Sequence, residues 1–305
     1  MNNNTTHEDR MKLRRFESIV LIFNGCFSLL LSVTICLLNI VLILAIARFP
    51  LRPERPIDKL HNALFYINLM ASIMFLSYFG VAEILHGLEI TSATIRFPSY
   101  LSSAFFVFAQ ANVQGLVFSS IERCTAFVSP HLHRRLTTRR TVVTTFLLME
   151  SFLLLFVCLS FTGINEQVFY TVYIHVFFSF PMSIPIIATG FTYWKIKTRN
   201  RITSNEIPQS VENLARHRRH STRTARKYLT VVSLFLGPLI LCILPWYIVK
   251  VSELTDRSAI LANDVGFFWQ HFSISLVFLP DALWPITLTI RFEAYYNSVR
   301  RRFRG

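Results

Sequence analysis

Long apolar runs, separated by shorter stretches rich in Arg, Lys, Pro or His, set the pattern of this chain from about Phe16 onwards. A run of about twenty residues crosses a hydrocarbon core of about 30 Å as a helix. Seven spans are predicted on that basis, at about 16–47, 60–85, 100–127, 141–161, 168–196, 228–249 and 265–290. The third carries Gln110, Asn112 and Gln114, and with the seventh it is the least apolar. Polar residues in such helices are expected to face neighbouring helices instead of lipid. The predicted fold is an all-α membrane protein, a seven-transmembrane helix bundle. After the last span, Phe292, Tyr295, Tyr296, Val299 and Phe303 recur at helical spacing opposite basic residues. That predicts a short amphipathic helix on an anionic inner leaflet within 291–305. The polar stretch 198–224, rich in Arg, His and Ser, is expected to be the third cytoplasmic loop.

Composition agrees with this partition. Hydrophobic residues make up 52% of the 305, 29 are Phe, and 16% are charged, against about a quarter charged in soluble domains. The net charge of +14 lies between the apolar runs with no basic domain to hold it, so no nucleic-acid partner is expected. Cys26, Cys36, Cys124, Cys158 and Cys242 show neither metal-ligand spacing nor a disulfide framework. All but Cys124 lie inside apolar runs, which predicts buried free thiols. Residues 1–15 are polar and the first run is too long for a cleavable signal, so that span is expected to serve as its own insertion signal.

Counting Lys and Arg in alternate connections gives the orientation. With the amino terminus outside, the inner side holds 24 of the 31 basic residues, ten of them between Lys195 and Lys227. Arg10, Lys12, Arg14 and Arg15 run against the rule, but the remainder outweighs them. Residues 1–15 are then an extracellular tail, with acceptor patterns for glycosylation at Asn3 and Asn4.

At the inner end of the third span stands Glu122-Arg123-Cys124, with Pro130 seven residues after the Arg. An acid beside an arginine at a membrane boundary has to pair or reach water. This segment resembles the Asp/Glu-Arg-Tyr motif of rhodopsin-like G-protein-coupled receptors. Other spans add matches to that family: Asn39 in the first, Asn68-Leu69 in the second, and Pro185 with Tyr193 eight residues on in the fifth. Cys242-Ile-Leu-Pro245 stands where the family has Cys-Trp-x-Pro, and Trp284-Pro285-Ile-Thr-Leu288 where it has Asn-Pro-x-x-Tyr. Prolines inside membrane helices break the hydrogen-bond ladder and give places to bend. The resemblance implies a plasma-membrane receptor domain over 16–290 that carries an extracellular signal to a heterotrimeric G protein. Glu122 would restrain Arg123 at rest, Arg123 would couple, and Tyr193, Pro245 and Pro285 would belong to the switch. Asn39, Asn68 and Asn112 would pack the helices.

The departures from the family are specific. Ile73 replaces its second-span Asp and Trp284 its seventh-span Asn, which removes the oxygen ligands of a sodium ion; Asn112 is left without partners. Its outer disulfide is missing too: Pro98 stands near one Cys position and the loop 162–167 has none. Glu150 lies in the fourth span and is expected to be protonated and hydrogen-bonded. No metal or cofactor is expected.

In such a bundle the ligand enters between the third, fifth, sixth and seventh helices. Facing positions are Phe105, Phe106, Gln110, Trp246, Tyr247, Lys250 and Gln270. Phe105 stands where amine receptors keep an Asp, which argues against a biogenic amine. Aromatic walls with a few polar groups suit a small or amphiphilic ligand. The ligand itself is not readable from these residues.

The rival reading is a seven-helix transporter or channel. A transporter is expected to show internal repeats and a channel a charged ring or polar stripe; neither pattern occurs. An intramembrane enzyme has His175, Glu150 and Asp281 as buried titratable candidates, on different helices and without a nucleophile, so no catalysis is expected. Ser221 and Thr222 follow basic residues that suit a kinase, and Ser298 is the tail's one Ser or Thr. Arrestin capture through the tail is expected to be weak.

Overall fold

The computed structural model describes residues 3–50, 56–90, 99–136, 138–205, 230, 236–253, 264–291 and 293–304. Their regular elements are all helical. α1 is Asn3–Arg48. α2 runs as Pro56–Ala71, a π-helical stretch Ser72–Leu76, and Ser77–Gly87. α3 is Ser99–Val128, α4 Pro130–Leu136, and α5 Arg139–Cys158. α6 runs as Glu166–Val172, a second π-helical stretch Tyr173–Ser179, and Phe180–Asn205. α7 is Leu236–Glu253. α8 is Asp264–Val277 and Leu279–Arg291, with a turn at Phe278, and α9 is Glu293–Arg304.

Among the described residues six helices are long and apolar enough to cross a membrane: Arg14–Arg48, Ile57–Gly87, Arg140–Cys158, Gln167–Thr198, Leu236–Glu253 and Val265–Ile290. The chain is a multi-pass membrane protein. α3, expected as a further span, is not among the six. It has 30 residues, which at 1.5 Å per residue is about 45 Å, long enough to cross, and 99–106 lie outside the residues whose side chains are described. Residues 110–117 of α3 are all buried, and α3 packs against α2, α5 and α6. Its polar side chains are turned into protein.

Local chemistry sets the helix ends. Pro56 and Pro130 open their helices at the first position, where a missing N–H costs nothing. Thr138 caps α5 by accepting from the Thr141 amide at 3.2 Å, and Asn165 caps α6 by accepting from the Gln167 amide at 2.8 Å. Gly163, at φ 81, makes the left-handed turn between them. Pro280 has no N–H for the ladder, and α8 breaks just before it.

Each π-helical stretch inserts a residue and loosens backbone carbonyls that a membrane core cannot leave unpaired. In α2 the Ser72 carbonyl accepts from the hydroxyls of Ser32 (3.1 Å) and Ser77 (3.2 Å), and Ser72 Oγ donates to the Ser32 carbonyl at 2.9 Å. In α6, Ser179 Oγ donates to the Ile174 carbonyl at 2.8 Å and Gln110 Nε2 donates to the Phe177 carbonyl. These bonds fasten α2 to α1 and α3 to α6 where the backbone departs from regular helix.

Four expectations are revised. α1 begins at Asn3, so most of the predicted tail 1–15 is the first helix continued, with Asn3 and Asn4 at its start. Cys242 is buried, whereas Cys26 and Cys158 are exposed on the flanks of α1 and α5; all five thiols are free. His175 is exposed. The helix after the last span forms as predicted, but α9 docks on α1 and α8 with Tyr295 fully buried, so part of its apolar face meets protein instead of the leaflet. Most of the predicted loop 198–224, with Ser221 and Thr222, lies outside the described residues, as do Pro98 and Phe292.

Candidate functional site

Three polar centres lie at different depths along the bundle. The first is at the Arg123 end. Arg123 Nη2 stands 2.9 Å from Glu122 Oε2, and Glu122 is only 7% exposed. One turn away on α3, Ser119 Oγ lies 3.1 Å from Nε2 of the buried His61 on α2. The His61 ring meets Trp284 of α8 edge to face, centroids 5.0 Å apart. Three helices are thus joined just inside the ion pair. Below it, Tyr295 Oη reaches Asp58 at 3.4 Å and Ser298 Oγ donates to the Phe49 carbonyl at 2.8 Å.

The second centre is at mid-bundle. Asn112 Nδ2 donates to Asn68 Oδ1 at 2.9 Å and to Asp281 Oδ1 at 2.7 Å. Asn39 Nδ2 donates to the Ile35 carbonyl at 2.8 Å and reaches the Asp281 carbonyl at 3.4 Å. All four residues are buried. Asn112, expected without its two sodium-site partners, binds Asn68 and Asp281. The carboxylate comes from α8 instead of α2. Ile73 is 53% exposed, and Ser72, four residues after Asn68 on the same helix face, takes the inward position.

The third centre lies towards the amino-terminal end of α1. Glu83 of α2 is 5% exposed. Its carboxylate accepts from Asn24 Nδ2 on α1 and lies 2.7 Å from His271 Nδ1 on α8. Asn24 Nδ2 also reaches the His271 carbonyl at 3.2 Å. Ser275 Oγ donates to Asn24 Oδ1 at 3.1 Å and lies 2.6 Å from Ser28 Oγ. Close backbones allow this: a Cβ on Gly80 would stand 2.8 Å from the Gly25 carbonyl, and one on Gly87 would stand 2.8 Å from that of Ser18.

Among the described residues, the expected pocket region contains a small apolar cavity of about 10 Å³ lined by Ala109, Tyr173, Phe178, Ile243, Trp246 and Val277. That is roughly the room one water needs. Of the residues expected there, Trp246 is buried edge to face with Tyr173, and Tyr247 packs on Phe178. Gln110 is held by α6, as described. Lys250 Nζ binds Glu253 at 2.7 Å beneath the Tyr170 ring. Gln270 is half-buried on α8. Phe105 and Phe106 lie on α3, with side chains outside the described set.

Of the expected switch residues, Pro285 sits inside a helix, as does Pro185, and Pro245 is half-buried on α7. Tyr193 is 56% exposed and turned from the bundle, while the adjacent Thr192 is buried. The hydrogen bond expected for Glu150 is absent: neither carboxylate oxygen has a partner among the described residues.

Sequence reasoning missed Glu83, His271 and Asn24 altogether. Two ionisable groups within apolar spans were the available signal. Among the described residues no three His, Cys, Asp or Glu side chains gather as a metal site.

No family model matches the chain. A search of curated proteins finds no match either.

Proposed function

We propose that this chain is a receptor of the rhodopsin-like G-protein-coupled class, with α3 as the seventh span and the amino terminus outside the plasma membrane. The observation that carries the reading is the Glu122–Arg123 pair, 2.9 Å apart at the inner end of a buried central helix. A guanidinium held by its own neighbour at a membrane boundary is a latch: releasing it frees a fixed cation, with five donors, towards the cytoplasm. The surroundings support this role. His61, Ser119 and Trp284 brace the latch, and the Asn39–Asn68–Asn112–Asp281 centre ties α1, α2, α3 and α8 above it. The prolines of α6, α7 and α8 provide bending points. The polar side chains of α3 bind other helices, as a central span requires. The concentration of Lys and Arg at the Arg123 end supports the orientation.

The test is ligand-free G-protein activation in cells across a panel of Gα subunits. Wild type is compared with Arg123→Ala at matched surface expression, with an amino-terminal tag read on intact cells. Basal activity lost in the variant supports a coupling receptor and names its G protein. Equal activity in both overturns the role of Arg123. A tag readable only after permeabilisation overturns the topology, and a transporter or channel becomes the better reading.

A further inference from the structure

We infer that the Asn24–Glu83–His271 centre is a proton-binding site, and that the proton is a stimulus this protein reads from the side of the amino terminus. The second part rests on the receptor reading; the first does not.

The 2.7 Å contact between His271 Nδ1 and Glu83 Oε1 requires one proton between them. With His271 Nε2 unprotonated the pair is a carboxylate bound by a neutral imidazole and carries one negative charge; with one proton more it is neutral, as carboxylate with imidazolium or acid with imidazole. Neutrality is what a membrane interior favours, since an uncompensated charge there is costly. A further proton breaks that balance and leaves a neutral acid beside a cation. The site can hold the extra charge on one side only. Glu83 is 5% exposed and the His271 side chain 26%, so the histidine is the side open to rearrangement. Phe267, one turn outward, lies 4.6 Å from the His271 ring and offers an aromatic face to a cation.

The other groups near the pair do not replace either partner. From α1, Asn24 contributes an uncharged amide, and Glu17 stands two turns further out on the same face. From α2 itself, His86 is one turn away and exposed. From α8, Ser275 and Gln270 are uncharged. Among the described residues His271 is the one titratable group bonded to Glu83.

Protonation has a mechanical consequence. The bond from α2 to α8 loses its carboxylate acceptor and is weakened, while the Asn24 bonds that hold α1 to both remain. α2 and α8 can then separate at this end, on the helix that carries Asp281 and Trp284 further in.

The test uses the full chain in lipid nanodiscs. Infrared difference spectra between pH 8 and pH 5 are recorded for wild type, Glu83→Gln and His271→Gln, with unfolding temperature at pH 8 confirming that each variant is folded. A carboxylic-acid band that rises on acidification in wild type and is absent from Glu83→Gln is the expected result. Its midpoint should move in His271→Gln. No such band in wild type, or the same band in Glu83→Gln, overturns the site. Nucleotide exchange on the coupled Gα is then followed over the same pH range. Exchange that changes several-fold in wild type and is flat in both variants supports the stimulus. A titrating band with pH-independent exchange overturns the stimulus and leaves the site. A titrating band with no exchange at any pH counts against the receptor reading alone.

Discussion

Asn112 donates to Asp281 across 2.7 Å, joining α3 to α8 through side chains 169 positions apart. The same amide nitrogen holds Asn68, so one residue satisfies two acceptors in the middle of the bundle. Replacing it by Leu leaves both unpaired. An orphaned buried polar group costs about 1–3 kcal/mol, although polar pairs in membrane proteins average about 0.6 kcal/mol because alternative partners exist. Asn112→Leu is therefore expected to lower the unfolding temperature in detergent, and Asp281→Asn, which can still accept, to lower it less. Equal losses would show that the carboxylate has another partner.

The close approach of α1 and α2 rests on hydrogen in place of a side chain. A Cβ on Gly25 would stand 2.6 Å from the Gly80 carbonyl, which is backbone and cannot turn aside, whereas a Cβ on Gly190 meets nothing within 4 Å. Gly80→Val is expected to abolish folded protein or reduce it several-fold. Gly190→Ala is expected to be neutral or to stabilise by about 0.4–1 kcal/mol through the unfolded chain. Yield of monodisperse protein and unfolding temperature separate the two. A well-folded Gly80→Val would mean that α1 and α2 lie further apart.

The spans were legible because membrane burial is written in composition: runs of apolar residues admit few other readings. Which face of each span turns inward was less legible. The family spacing puts Ile73 five residues after Asn68, whereas residues four apart share a helix face, so Ser72 lies inside and Ile73 outside. Tyr193 follows the π-helical stretch of α6 and also faces out. The partnership of Glu83 with His271 links positions 188 apart, and no local pattern encodes a contact of that kind. Glu122 and Arg123 were readable because they are adjacent.

Thiol accessibility tests the membrane reading itself. Cys26 and Cys158 face outward from apolar helices, while Cys242 is buried. A charged maleimide in water should label neither Cys26 nor Cys158 in nanodiscs, because lipid covers them. A lipid-soluble maleimide should label both, and Cys242 should react only after unfolding. Single-cysteine variants followed by mass spectrometry give the assignment. Rapid labelling of Cys158 by the charged reagent would place that flank of α5 in water.

The docking of α9 separates packing from hydrogen bonding at one residue. Tyr295 is fully buried, its ring 6.4 Å from Phe65 at 83°, and its hydroxyl reaches Asp58 at 3.4 Å, a long bond. The ring should therefore matter more than the hydroxyl. Tyr295→Ala opens a cavity, for which large aromatic truncations cost about 3–5 kcal/mol. Tyr295→Phe removes a hydrogen bond worth about 0.5–1.5 kcal/mol at most. Ser298→Ala should sit near Tyr295→Phe, since it removes one bond to the Phe49 carbonyl. Burial also bears on regulation: Ser298 is 4% exposed, and a kinase would have to undock α9 to reach it. Phosphorylation of Ser298 in the folded protein is expected to be negligible, and to rise in Tyr295→Ala. If Tyr295→Phe destabilises as much as Tyr295→Ala, the hydroxyl and not the ring holds α9. If wild-type Ser298 is readily phosphorylated, α9 is not held in its docked position.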